Sequence, residues 1–193
     1  MTEKEKILLV GAGGFGRVVS EHARKLYDCA FVDDGYPVGE VLCDIPVVGH
    51  LDDIAKLYGT YKKLVVVIGN NKLREEVYQK ASEIGYMFPN ITAGNVYISP
   101  YATVGHGCVF LNNCVIQNGS TVGNGVLLNP GVEIHHGCAV DDYALIYTNS
   151  CIRTYAHVGK RAWIGSNVTI SNDVIVPADG VVPNGKTLFK EQR

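Results

Sequence analysis

From Ile98 onward every sixth residue is apolar: Ile98, Val104, Phe110, Ile116 and so on through Val176 and Val182, fifteen positions without a slip. Four residues after each of the first fourteen stands a small or β-branched residue, such as Cys108, Cys114, Ser120, Val126 and Val132. Neither the 3.6-residue period of an α-helix nor the alternation of an ordinary strand produces that spacing. A six-residue repeat predicts a parallel β-helix of triangular section, three hexads to a coil of about eighteen residues. The large aliphatic fills the interior, and the small residue fits beside it where the walls converge. Each buried aliphatic contributes roughly 1.5–3 kcal/mol of transfer free energy, and each coil needs its neighbours to bury it. Residues 98–182 hold nearly five coils without an inserted loop.

This frame sorts the stretch VEIHHGCAV (132–140), where two adjacent histidines with Glu133 before and Cys138 after invite a zinc reading. Val132, Ile134, Cys138 and Val140 fall on inward positions. Cys108 and Cys114 share the small slot of Cys138, so all three are expected to be core fillers rather than ligands or nucleophiles. His135 and His136 fall at a corner and point outward. His135 is expected between Gln117 and Arg153 of the adjacent coils, and His136 between Asn118 and Thr154. His106 belongs to a different corner, and His157 lies off-corner.

The first half is of another kind. Residues 1–90 carry 11 basic and 13 acidic side chains, against 6 and 6 in residues 91–193. KILLV (6–10) is a buried-strand run, GAGGFG (11–16) follows it, and in RVVSEHARKL (17–26) Val18, Val19, His22, Ala23 and Leu26 suit one helical face. CAFVDD (29–34) and KKLVVVIGNN (62–71) supply two more strands, and REEVYQKASEIG (74–85) reads as a helix closed by glycine. Strands alternating with helices predict a small Rossmann-like parallel sheet. Gly11, Gly13 and Gly16 match GxGxxG between strand and helix, where backbone N–H groups and the helix dipole meet a phosphate. Asp33 and Asp34 end the second strand, where an acid often meets ribose hydroxyls. The expected organisation is an α/β domain over 1–90 and a β-helix over 91–193.

A net charge of −2 without charge runs argues against nucleic acid or an anionic membrane as partner. No apolar stretch reaches membrane-spanning length, and the N-terminal run lacks a secretory layout, so a cytoplasmic protein with reduced cysteines is expected.

Together, GAGGFG…FVDD…IGNN and the hexapeptide array resemble the sialic-acid O-acetyltransferase-like family of hexapeptide-repeat acyltransferases. The branch resembled is the nucleotide-sugar N-acetyltransferases that act on UDP-4-amino-sugars. The resemblance spans residues 6–182. It implies a left-handed β-helix, a homotrimer, and acetyl-CoA as cosubstrate in the groove between prisms, with Asn118, Thr154 and Gly165 as contacts. It also implies a nucleotide-activated amino-sugar held by Gly11, Gly13, Gly14, Asp33, Asp34, Gly69, Asn70 and Arg74. In NPGVEIHHGCAV, His136 takes the place of the family's general base, and a role in glycan or polysaccharide biosynthesis follows.

The chain departs from the family's pattern at several points. Gly137 stands where an acid commonly follows the base, Leu145 where a second histidine is common, and Ile152-Arg153-Thr154 where a small AGG-type segment is usual. Phe15 replaces a common histidine, and the GxPAK ending is missing. An acid to orient His136 would be Glu133, Asp141 or Asp142, and the oxyanion donor is expected near Thr154. No metal is expected, because β-helix carbonic anhydrases use a His-x4-His pair and position 141 is Asp. The expected reaction is acetyl-CoA-dependent N-acetylation of a UDP- or dTDP-linked amino-sugar. The alternatives are sugar O-acetylation and a non-catalytic nucleotide-binding scaffold.

Overall fold

The computed structural model describes residues 4–190, and the chain divides between Ile91 and Thr92 into two compact units. The first is an α/β unit: β1 (Lys6–Val10), α1 (Gly14–Ala23), β2 (Asp28–Val32), β3 (Val41–Leu42), β4 (Ile45–Gly49), a 3-10 turn (Leu51–Asp53), α2 (Ile54–Leu57), β5 (Lys63–Val66) and α3 (Asn71–Ile84). The sheet order is β3-β4-β2-β1-β5, parallel except for the edge strand β3.

Five strands thus replace the three expected. The hairpin of β3 and β4 leaves little mark in the sequence, because β3 is two residues long and Pro46 interrupts the run that follows, which argues against a central strand. Its turn holds Cys43 and Asp44, both at positive φ. The buried stripe of α1 is Gly16, Val19, Ser20 and Ala23. Val18 and Leu26, expected on that face, are 42% and 62% exposed. The helix begins at Gly14 and ends at Ala23, so Leu26 lies beyond its end. Helix α3 begins three residues earlier than expected because the Asn70 side chain accepts from the N–H groups of Lys72 and Leu73, each at 3.1 Å. Gly85, at φ +102°, closes it.

The second unit is a left-handed parallel β-helix. Two-residue rungs, such as Glu133–Ile134 and Cys151–Ile152, stack into three parallel sheets. Partners stand one coil apart, as in Ile116↔Ile134 and Ile134↔Ile152. From Phe110 to Val182 every inward aliphatic is buried, while Ile98 and Val104 are partly buried against the same core. At each corner from Gly107 to Gly185 every sixth residue has positive φ. Glycine, asparagine and aspartate take most of these places, as sterics favour. Tyr143, Tyr155 and Arg161 are the bulky exceptions.

The small slot does more than fill space. Cys108, Cys114 and Cys138 each point a thiol at a carbonyl fifteen residues on, that of Gly123, Asn129 and Arg153 respectively, at 3.1 Å. Ser120 and Ser150 donate in the same way to His135 and Gly165, at 2.6 Å, and also accept from the N–H of Cys138 and Val168. Burial pushes the Cys114 thiol up to about 11, so it remains protonated and unreactive. Ser150→Ala leaves the N–H of Val168 and the carbonyl of Gly165 without this partner inside the prism. A loss of about 1–3 kcal/mol in urea unfolding is expected. Among the described residues no helix is long and apolar enough to cross a membrane.

Candidate active site

Residues one coil apart line up in columns at the corner of the prism. One column is Pro100, Asn118, His136 and Thr154; the next is Tyr101, Gly119, Gly137 and Tyr155. A trough opens between the two tyrosines over Gly119, where a Cβ would meet only Gly137 N at 3.9 Å. The resulting cleft of about 830 Å³ is lined by Tyr97, Asn118, Gly119, His136, Gly137 and Tyr155, among others.

His136 is exposed in this cleft. Its backbone N–H donates to Gln117 Oε1 at 3.1 Å, and its Nε2 lies 3.2 Å from Thr154 Oγ1. The ring meets Tyr155 edge-on, at 5.6 Å between centroids. The carbonyl of Asn118 accepts from Gly137 N–H at 3.0 Å. Asn118 and Thr154 therefore flank His136, on the coils before and after it.

The three acids considered for orienting His136 are engaged elsewhere. Glu133 Oε2 is 3.3 Å from His135 Nε2, Asp141 Oδ2 is 2.8 Å from His157 Nε2, and Asp142 Oδ1 accepts from Asn124 N–H at 2.7 Å. The imidazole of His136 is instead set by Thr154 and Tyr155.

Gly137 has its own explanation. A Cβ at this position would lie 2.4 Å from Cε1 of Tyr155, so the tyrosine ring fills the space a side chain there would need. Tyr155 is not among the residues the sequence motifs single out. The signal that marks it is its place one coil beyond Gly137, with a bulky residue where the corner favours glycine or asparagine.

Two further expectations need correction or completion. Gly165, expected at the cosubstrate, is buried, and a Cβ there would lie 2.5 Å from Asn184 Oδ1 and 2.6 Å from Asn184 N. Its glycine is required by packing. The thiol that reaches a histidine is Cys151, to which the hexad frame assigns no role: its Sγ is 3.3 Å from His135 Nε2. Burial, and after it the charge of Glu133, pushes this thiol up, with Arg153 opposing. A protonated thiol is a poor nucleophile, so the pair does not make a Cys–His catalytic couple.

The first unit has a crevice of its own. It is about 200 Å³ and lined by Gly11, Val32, Asp33, Asp34, Ile68 and Leu73. It lies at the carboxyl ends of the strands where β2 and β5 leave β1 in opposite directions, the position at which open α/β sheets bind ligands. Gly11 has φ +113°, and a Cβ on Gly16 would lie 1.9 Å from Gly11 O, so these two glycines shape the turn. Gly13, Gly14 and Gly69 face open space; a Cβ on any of them meets nothing within 4 Å. No side chain caps the N-terminus of α1, whose N–H groups begin there.

The polar residues expected at the nucleotide mostly brace this loop. Asp33 accepts from Ala12 N–H at 2.6 Å and from Gly35 N–H at 2.7 Å; Asp34 accepts from Leu51 N–H at 2.8 Å. Asn70 caps α3. Arg74, expected to contact substrate, is 0% exposed and donates to Ile68 O at 2.8 Å. It supports the segment before Gly69 from beneath rather than reaching a ligand.

Residues 6–81 match the family model described as the PglD N-terminal domain, and residues 92–192, more than half the chain, match that of the GMPPB C-terminal domain. The acetyltransferase domain of PglB from Neisseria gonorrhoeae FA1090 is 25% identical, with a TM-score of 0.91 over 96% of this chain and 92% of that one. Its structure in complex with acetyl coenzyme A is 26% identical, with a TM-score of 0.85 over 95% of each chain. A histidine-to-alanine mutant of GDP-perosamine N-acetyl transferase from Caulobacter crescentus, in complex with CoA and GDP-perosamine, is also similar. It is 26% identical, with a TM-score of 0.79 over 94% of this chain and 92% of that one. With both halves matched in order and the likeness running through nearly the whole chain, the protein belongs to the hexapeptide-repeat sugar N-acetyltransferase family.

Proposed function

We propose that this acyltransferase moves an acetyl group from acetyl-CoA to the amino group of a nucleotide-linked amino-sugar, with His136 as the general base. The observation that carries the reading is an exposed histidine in a cleft that opens over Gly119, its Nε2 3.2 Å from the Thr154 hydroxyl. The related structures in complex with acetyl coenzyme A, and with CoA and GDP-perosamine, support the two substrate classes.

The amine lone pair attacks the thioester carbonyl carbon, and the C–S bond breaks as the tetrahedral intermediate collapses. CoA leaves as the thiolate. The proton lost by nitrogen passes to His136 and from it to the thiolate sulfur. A neutral imidazole has one N–H and one lone pair. When the Thr154 hydroxyl donates to Nε2, that nitrogen holds the lone pair, and the incoming amine exchanges with the hydroxyl. Asn118 and Thr154, on the coils flanking His136, are the proposed contacts of the acetyl-CoA arm, and a homotrimer closes the groove in this reading. The first unit holds the nucleotide, UDP or dTDP, through the backbone of Gly11, Gly13, Gly14 and Gly69, beside Asp33 and Asp34. The substrate places the step in cytoplasmic glycan or polysaccharide biosynthesis.

Calorimetric titration with acetyl-CoA tests the reading against the non-catalytic scaffold: saturable binding supports transfer, and no heat at millimolar cosubstrate sinks it. Gly13→Val is expected to fold normally, since its side chain meets nothing. It would weaken nucleotide-sugar binding by at least tenfold, because the isopropyl group occupies the place of a phosphate. Unchanged affinity by the same titration would remove the glycine loop from the site.

A further inference from the structure

On the outer side of the rungs Glu133–Ile134 and Cys151–Ile152, three side chains converge away from the proposed base. Glu133 and Cys151 are register partners on adjacent parallel strands, so their side chains leave the wall next to each other. His135, two residues after Glu133, turns its Nε2 toward both: 3.3 Å to Glu133 Oε2 and 3.3 Å to Cys151 Sγ. The three ligand atoms all lie within 4.8 Å of one another.

We propose that Glu133, His135 and Cys151 bind one zinc-class divalent ion, with the fourth coordination position open to the outside. Tetrahedral zinc has bonds of about 2.0–2.1 Å to nitrogen, about 2.3 Å to sulfur and about 2.0–2.2 Å to oxygen, which sets ligand atoms about 3.3–3.6 Å apart. The Nε2–Oε2 separation matches the nitrogen–oxygen end of that range, and Nε2–Sγ is about 0.2 Å shorter than the nitrogen–sulfur value. Hydrogen bonding accounts for them less well. With the Nε2 proton given to the carboxylate, the bond at 3.3 Å is long, and the Cys151 S–H then meets an N–H rather than a lone pair at Nε2. An ion among the three atoms serves all of them at once. Binding displaces the Cys151 proton to solvent, and imidazole with the resulting thiolate and one carboxylate suits zinc and its borderline-soft neighbours, and not magnesium or calcium, which want oxygen alone.

The sulfur therefore comes from the next coil and not from Cys138, whose thiol points inward at Arg153 O. That is why VEIHHGCAV by itself does not reveal the site. Bound metal would tie the coil carrying His136 to its neighbour, a role independent of acetyl transfer.

Cobalt(II) titration of the full chain under reducing conditions tests the proposal. The expected result is one ion per chain, a near-ultraviolet thiolate-to-cobalt charge-transfer band with the strong visible bands of tetrahedral geometry, and competition by zinc. Cys151→Ser should abolish the charge-transfer band, and His135→Ala should weaken binding by roughly 100-fold or more, beyond the ~10–100-fold that loss of an outer partner costs. Cys43→Ser, which removes the exposed cysteine elsewhere in the chain, should change nothing. Absence of the band in the wild-type chain overturns the proposal, as does a band that persists in Cys151→Ser or vanishes in Cys43→Ser. Circular dichroism of each variant shows that the β-helix is intact; His135→Ala alone suffices if Cys151→Ser does not fold.

Discussion

Replacing His136 with alanine is expected to lower kcat by about 10²–10⁴-fold, the usual worth of a positioned general base. Several facts isolate that effect. His136 is exposed, its backbone N–H rather than its ring holds Gln117, and no acid depends on it for a partner. Folding and the affinity for acetyl-CoA should therefore stay within a factor of a few of the wild type. Loss of kcat with KM held is the signature of a group that acts in the transition state. Thr154→Val, which removes the hydroxyl beside Nε2, should produce a smaller loss in the same direction. An alanine variant that turns over at near the wild-type rate would take the base away from position 136.

The second large effect concerns Gly137 and Tyr155 as a pair. Gly137→Asp restores the acid that commonly follows the base in this family, but it does so where the ring of Tyr155 lies. The backbone is not the obstacle, since Asp173 and Asp179 occupy the equivalent corner position at φ +58°. The ring is, and Tyr155, 62% exposed, can only leave by swinging into solvent and losing its contact with His136. The single variant should be less stable than wild type, and Tyr155→Gly added to it should recover stability, because glycine suits a positive φ. A coupling energy of about 0.5–3 kcal/mol is expected from the double-mutant cycle by urea unfolding. The pH profile supplies an independent readout. A carboxylate next to an imidazole favours its protonated form. The base form then needs a higher pH, so the acidic limb of kcat/KM in the double variant should move up in pH. Additive stabilities together with an unmoved limb would show that Tyr155 and Gly137 are not exchanging one site.

Much of this fold is legible in the amino-acid sequence. The hexad has only one way to turn fifteen apolar residues inward in step, and Ile116, Ile134 and Ile152 do stack one coil apart. It also separates inward Cys138 from outward His135 and His136. In the first unit the glycine motif, α3 and the three buried strands can be read directly, because their apolar runs are long and their caps conventional. The hairpin at Val41–Gly49 cannot, since two residues and a proline carry too little pattern.

The site is less legible for a physical reason. Its contacts join residues one coil apart, and side-chain partners at that separation follow from the register only when each column is read upward. Tyr155 over Gly137 and Cys151 beside Glu133 are both of this kind. Arg74 and Gly165 are of another kind: the positions correspond to family motifs, and burial gives the arginine to the carbonyl of Ile68 and packs the glycine against Asn184. The acids Asp33 and Asp34 line the crevice and hold the glycine loop and the turn at Leu51.

Release of free CoA thiol from acetyl-CoA, followed with a panel of UDP-, dTDP- and GDP-linked amino-sugars and with matched sugars bearing hydroxyl in place of amine, tests the proposed reaction most directly. Thiol release dependent on one of the amino-sugars, absent with its hydroxyl counterpart and lost in His136→Ala, is the expected result. Release that follows the hydroxyl sugar instead would make the protein an O-acetyltransferase. Acetyl-CoA that binds but is never cleaved with any member of the panel would contradict the assigned chemistry.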